Sequence, residues 1–78
     1  MRNLLIYVHD YCSLCETMQA QLQPLVNARR IALRVIDLDE HPELQAQHAE
    51  RVPVLTHDDG RLICYGRLDP EALERALD

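Results

Sequence analysis

The chain has 78 residues, 47% hydrophobic and 27% charged, which suits one small folded domain with a thin core and excludes a disordered, collagen-like or rod-like chain. Eight arginines and no lysine stand against thirteen acidic residues, a net charge of −5, so nucleic acid and anionic membrane are poor partners. Three tyrosines are the only Phe, Trp or Tyr residues, so the core must be built from Leu, Ile, Val and Ala.

Leu4 to Val8 is an unbroken apolar run ended by His9-Asp10. Its length and its Ile, Tyr and Val predict a strand buried on both faces. The run is too short for a signal-peptide core, and no segment approaches the roughly 20 apolar residues that span a bilayer. The expected location is the cytoplasm. From Ser13 the pattern turns helical. Leu14, Met18, Leu22 and Leu25 form an apolar stripe on a helix reaching about Asn27–Arg30. Arg29 and Arg30 suit its negative pole, and Pro24 predicts a kink or a broken last turn.

Ile31 to Leu38 reads as a second strand, with Ile31, Leu33 and Val35 on one face and Ile36 and Leu38 on the other. A short helix begins with Asp39-Glu40-His41 at its cap and Pro42 in its first turn, and ends near Glu50. Arg51 to Thr56 is a third strand entered through Pro53. Asp58-Asp59-Gly60 is a hairpin signal, and Arg61 to Tyr65 is the antiparallel fourth strand, broken by Gly66. Asp69-Pro70-Glu71 caps a last helix with Leu73, Ala76 and Leu77 on its inner side. A strand-helix-strand unit implies a parallel pair with a right-handed crossover. The expected architecture is α/β, a four-stranded mixed sheet flanked by three helices, in a single domain over residues 1–78.

Cys12-Ser13-Leu14-Cys15 falls where the first strand hands over to the first helix. Residues three apart on a helix are neighbours, within reach of a disulfide after a small adjustment. The free N–H groups and partial positive charge of a helix start favour a thiolate. Cys12, nearest the loop, is expected to be exposed and to attack; Cys15, one turn in, is expected to be shielded and to resolve. A zinc site needs two more ligands, and Cys64 with one of His9, His41, His48 or His57 would supply them only by chance. An odd number of cysteines suits a reducing compartment better than a stapled secreted scaffold. Cys64 reads as a small buried hydrophobe, with a third redox partner or a site for a glutathione cap as the alternative. Tyr11 either lines a substrate groove or covers the helix end, His9 reads as a solvated strand-end residue with a role in holding the thiolate as the alternative, and His41, His48 and His57 read as surface residues.

Cys12-Ser13-Leu14-Cys15, Val52-Pro53 before the third strand and Gly66 before the last helix resemble the landmarks of the thioredoxin fold. The brevity is similar to glutaredoxin. The pattern Cys12-x-Leu14-Cys15-Glu16, Val52-Pro53-Val54-Leu55 and Leu62-Ile63-Cys64-Tyr65 resembles short bacterial glutaredoxin-like proteins over nearly the whole chain. The resemblance implies a cis Val52–Pro53 bond beside the dithiol, with the backbone of Val52 pairing with substrate peptide or glutathione. Tyr11, Val52, Pro53, Tyr65 and Gly66 are the substrate-binding candidates beside the catalytic pair Cys12 and Cys15. The implied activity is thiol–disulfide exchange on a disulfide-bearing protein or a glutathione mixed disulfide by a monomer. No cofactor is bound, and electrons come from glutathione or a thioredoxin-type reductase system.

The chain departs from the glutaredoxin pattern at three places. Ser13-Leu14 stands for Pro-Tyr between the cysteines, His9 for a lysine, and Cys64-Tyr65-Gly66 for a double glycine. Tyr65 and Cys64 are expected to crowd the γ-glutamyl groove, and Arg67 is expected to be engaged by Asp69. Weak glutathione binding and a better protein partner follow. Two further readings are an iron–sulfur-binding module, which Cys15 opposes, and a non-catalytic thioredoxin-fold adaptor.

Overall fold

In the computed structural model, which describes Met1–Asp78, strand β1 (Arg2–Val8) lies inside a sheet of order β2-β1-β3-β4. Its neighbours are β2 (Ile31–Asp37), parallel to it, and β3 (Val54–His57), antiparallel. Strand β4 (Leu62–Tyr65) pairs antiparallel with β3 across an irregularity at Leu55/Thr56. Helix α1 (Ser13–Asn27) is the crossover between β1 and β2. Helix α2 (Pro42–His48) connects β2 to β3, and α3 (Pro70–Leu77) follows β4. None of the helices is long and apolar enough to cross a membrane.

Alternation along β1 divides the core in two. Leu4, Ile6 and Val8 pack with Cys15, Met18 and Leu22 of α1, Leu73 of α3, and Ile31, Leu55 and Cys64 from the other strands. Tyr7, on the opposite face, packs with Leu38 and Val54, and Leu44 of α2 lies against them. Central position explains why β1 is apolar at consecutive residues. Edge position explains why Val35 of β2 is 49% exposed, although the alternation of the chain places it with Ile31.

Helix α1 corrects the expected stripe by one residue. Leu14 is exposed, and Cys15 joins Met18 and Leu22 inside, because the step from 15 to 18 to 22 keeps the same face as the step from 14 to 18 to 22. Nor does Pro24 break the last turn. It deletes only the bond to the carbonyl of Ala20, while Ala28 N–H donates to Pro24 O at 2.9 Å. The helix closes beyond it with Arg30 N–H on Leu25 O and Arg29 N–H on Val26 O, the double bond of a Schellman motif. That motif turns Arg29 to φ +60°, where glycine is usual and another L-residue is strained by about 1–2 kcal/mol.

Two 3₁₀ turns shift the other boundaries. Leu38, expected in β2, begins the turn Leu38–Glu40 and is fully buried. Asp37 accepts from the Asp39 amide and starts that turn. Ala49–Arg51 forms a second turn, so β3 starts at Val54 rather than Arg51; Pro53 has no N–H for a ladder. The hairpin follows the sequence. Gly60 takes φ +95°, its N–H donates to His57 O, and His57 N–H donates to Arg61 O. Asp69 caps α3, accepting from Glu71 and Ala72 amides.

Candidate functional site

Register brings three loops to one end of the sheet. Val8 ends β1 and leads to Cys12. Tyr7 pairs with Val54, and Val54 pairs with Tyr65. The Val52-Pro53 segment before β3 and the Gly66-Arg67-Leu68 segment after β4 therefore lie at the same edge as the dithiol.

Cys12 is the N-cap of α1, in extended conformation, and is joined to Cys15 by a disulfide with Cα atoms 5.2 Å apart. The Cys15 amide donates to Cys12 Sγ at 3.1 Å. A helix-terminal N–H aimed at a sulfur stabilises negative charge there, as oxygen caps do elsewhere. Cys15 is 2% exposed and belongs to the core. Cys12 is half-buried rather than fully exposed, because it leans on the same core.

Tyr11 precedes the pair with φ +56° and a wholly exposed ring, at 106% of its reference area. It covers nothing, which disposes of its reading as a helix-end cover. Strained backbone beside a reactive group is a pattern of functional loops. The loop is fixed from below by a residue that sequence reasoning passed over as a helix cap. Asp39 accepts the Asp10 amide at 3.2 Å and faces His9 Nδ1 at 3.4 Å. His9 is thus engaged by a carboxylate. Asp10, Asp37 and Asp39 hold their carboxylates within 4.8 Å of one another.

The Val52–Pro53 bond is cis, and Pro53 is buried. Gly66, at φ +75°, donates its N–H to Pro53 O at 2.8 Å, which ties the loop after β4 to the loop before β3. Arg51 stands over the ring of Tyr65, 5.2 Å from its centroid, a cation–π contact. Tyr65 is half exposed. Cys64 is not beside it in the groove: alternation turns it into the core at 8% exposure. Burial pushes the Cys64 thiol up, and the Asp69 carboxylate adds to that against the pull of the Asp69 amide.

Arg67 is also not where the sequence suggested. The Asp69 carboxylate serves the amides of α3, and Arg67 makes no ion pair. Arg67 instead lines a hollow of about 180 Å³ with Gly66, Leu68, Leu14, Met18 and Gln21. His48 is a second correction. Its ring stacks on Tyr7 with centroids 4.3 Å apart, and its Nδ1 is buried without a partner. Burial, with Arg51 nearby, lowers its pKa. A 41-residue separation in sequence left no local signal for that stack.

A Cys12–Cys15 disulfide at the N-terminus of the crossover helix, at the same end of a four-stranded mixed sheet as a cis-proline loop, defines a protein of the thioredoxin fold. The glutaredoxin-like domain family (DUF836) matches residues 3–78, and the chain belongs to that family. It is similar to protein Ne2328 from Nitrosomonas europaea, at 32% identity over 99% of this chain and 92% of that one, with a TM-score of 0.84. It is also similar to protein XcR50 from X. campestris, at 31% identity over 96% and 95% and a TM-score of 0.70. Thioredoxin 1 from Thermosipho africanus TCF52B shares 25% identity over 96% and 93%, with a TM-score of 0.64. No curated protein matches the chain.

Proposed function

We propose that this protein is a small thiol–disulfide oxidoreductase that reduces disulfides through Cys12 and Cys15. The observation that carries the reading is the asymmetry of the pair. Cys12 is half-buried and its Sγ receives the Cys15 amide at 3.1 Å, while Cys15 is 2% exposed. In the reduced protein, the Cys12 thiolate attacks one sulfur of a substrate disulfide, and the other substrate sulfur leaves as a thiolate. Cys15 then loses its proton and attacks Cys12 Sγ. The mixed disulfide breaks, the second substrate thiolate is released, and the Cys12–Cys15 disulfide remains. Two glutathione thiols, or a thioredoxin-type reductase system, return the two electrons.

Tyr11, Val52, Pro53, Tyr65 and Gly66 form the docking face in this reading. Pro53 and Gly66 are bonded to each other through the backbone and hold Val52 at the dithiol edge. Two exposed rings, Tyr11 and Tyr65, favour an extended protein segment over the small tripeptide. His9 is paired with Asp39 and Arg51 stands over Tyr65, which weakens glutathione binding and leaves Arg67, in no ion pair, as the cation free to meet a glutathione carboxylate.

Mass spectrometry after exposure to oxidised glutathione tests the order of the thiols. Cys15→Ser accumulates a stable adduct on Cys12, and Cys12→Ser forms none on Cys15 at a comparable rate. An adduct on Cys15 of Cys12→Ser, formed as fast as the wild-type reaction, reverses the roles. Turnover that survives Cys12→Ser removes the proposal.

A further inference from the structure

The face of the sheet away from α1 holds a titratable group that the thiol chemistry does not use. His48 ends α2 and stacks on Tyr7 of β1, with centroids 4.3 Å apart and planes inclined by 26°. Its Nδ1 is buried without a hydrogen-bond partner. Tyr7 packs there with Leu38 and Val54, and Leu44 and Val52 lie against that cluster. Val52 therefore rests on the same small cluster that carries the His48 ring. The turn Ala49–Arg51 joins His48 to Val52, and Arg51 at its end reaches both ways. Its guanidinium donates to Gln47 O of α2 at 3.4 Å and stands over the Tyr65 ring at 5.2 Å. The position of α2 is thus passed to two residues of the proposed docking face, to Val52 along the chain and to Tyr65 through Arg51.

A neutral imidazole suits this place and an imidazolium does not. With Nδ1 buried and unpartnered, the neutral ring carries its proton on Nε2. A second proton puts an N–H donor where nothing accepts it, which costs as much as any buried bond left unmade. The surroundings supply no counter-ion. Leu38, Leu44 and Val54 carry no charge, Tyr7 presents its ring, and His48 is in no ion pair. Glu43 is bonded to His41, and Glu50 is exposed in the following turn. The charged group that acts on the ring is Arg51, of like sign. Burial and Arg51 hold the His48 pKa below its ordinary value, although the C-terminal pole of α2 favours a cation.

We propose that the Tyr7–His48 stack positions the docking face: the neutral ring holds the Ala49–Arg51 turn in place, so that Val52 and the Arg51–Tyr65 pair meet an extended partner, and a proton on His48 loosens both. The ring under His48 lies in the half of the core away from Cys15, so His48 is a positioning residue and not a catalytic one. A small disulfide that meets only the sulfurs is indifferent to the change, whereas an extended one is not. Docking is strongest at neutral pH and above, and weakens as pH falls through the His48 value. The inference rests on the thiol–disulfide reading for its partner, but the coupling from His48 to Tyr65 exists in the oxidised protein without any substrate.

Two measurements separate the coupling from the chemistry. In the first, ¹⁵N-labelled oxidised protein is titrated from pH 8 to about pH 4.5. Imidazole signals give the His48 midpoint, expected below the ordinary value of about 6.5. Amide shifts at Arg51, Val52 and Tyr65 follow that midpoint in the wild type. They are absent from His48→Phe, which keeps an aromatic ring on Tyr7 and takes no proton. Shifts that persist in His48→Phe, or that spread equally over α1, overturn the coupling. In the second, stopped flow follows oxidation of the reduced protein by two disulfides over the same pH range. One is the dimer of an uncharged ten-residue peptide with one cysteine, and the other is hydroxyethyl disulfide. Ionisation of Cys12 affects both rates alike and cancels in their ratio. The peptide-to-small ratio is expected to fall about fivefold or more as His48 takes its proton. His48→Phe keeps the neutral-pH ratio throughout, and His48→Ala, without a ring, shows the low ratio at every pH. A wild-type ratio that stays level while His48 titrates overturns the proposal. If neither disulfide oxidises the protein, the thiol–disulfide reading fails, and the first measurement alone decides the coupling.

Discussion

Replacing Tyr11 separates backbone strain from docking, because the two effects of the residue have opposite signs. At φ +56° a side chain strains the backbone by about 1–2 kcal/mol. The ring is fully exposed, so removing it gives up no buried area in the free protein. Glycine at 11 returns about 0.5–1 kcal/mol of freedom to the unfolded chain. The net is a gain of about 0.5–1 kcal/mol in the oxidised protein. With a urea slope of about 1 kcal/mol per molar for a domain this small, the midpoint rises by roughly 0.5–1 M. Tyr11→Asn checks the origin of the gain, since asparagine tolerates the left-handed region without the freedom of glycine. The proposed docking face is affected in the other direction. Packing of the ring against a partner is worth about 1–2 kcal/mol, so without it KM for a protein disulfide rises about five- to thirtyfold, while kcat holds because Tyr11 offers no group to the sulfurs. Urea melts followed by circular dichroism, with steady-state reduction of a model protein disulfide, read both quantities. If both variants melt about 1 M earlier, or if KM is unmoved, the reasoning from the strained, exposed ring is refuted.

The partly buried ring of His48, with its Nδ1 buried and unpartnered, makes stability depend on pH. Its folded pKa lies below its ordinary value, so the unfolded chain takes the proton first. This contribution is fully present above about pH 6.5 and is lost as pH falls through the depressed value. Urea midpoints measured stepwise from pH 8 downward should drop over that range in the wild type, and His48→Gln should flatten the drop; an unchanged profile rules out the Tyr7–His48 stack as its source. The buried Cys64 thiol, raised in pKa, should be alkylated in the native protein at pH 7.5 at least about tenfold more slowly than reduced Cys12. Cys64→Ala should leave turnover unchanged. Peptide mapping after timed labelling reads the first, and rapid modification of native Cys64 contradicts its placement in the core.

The order of elements was legible because each carries its own local chemistry. The run Leu4 to Val8, the turn at Gly60 and the cap at Asp69 signal strand, hairpin and helix within a few residues. Cys12 and Cys15 were legible for the same reason, since spacing and position at a strand–helix junction are local facts. What the chain hid was non-local or required a residue to act against its type. Leu14 and Cys15 fit a helical period equally well, and only the sheet beneath decides which turns inward. Leu38 looks like the end of a strand but is buried by a 3₁₀ turn that Asp37 starts. His48 looks like a surface residue until Tyr7 is brought beneath it. Tyr11 and Arg29 occupy left-handed positions that sequence reasoning reserves for glycine, so neither announces its turn. Asp39 stands at the sequence position of a helix cap, whereas its carboxylate reaches back to Asp10.

The two halves of the core are unequal, and the difference ranks the parts of the molecule by their resistance to opening. The cluster between the sheet and helices α1 and α3 has ten buried residues, three of them from α1 itself. The opposite face has three, and α2 contributes none. Segments with little buried apolar surface exchange and unfold in smaller, cheaper steps than the global transition. The stretch from Pro42 to Arg51 is therefore the unit whose partial unfolding leaves the remainder of the protein intact. It runs directly into Val52. The Cys12–Cys15 pair is anchored in the most persistent part of the fold, while the cis-proline loop, proposed to meet the partner backbone, hangs from the part that opens first.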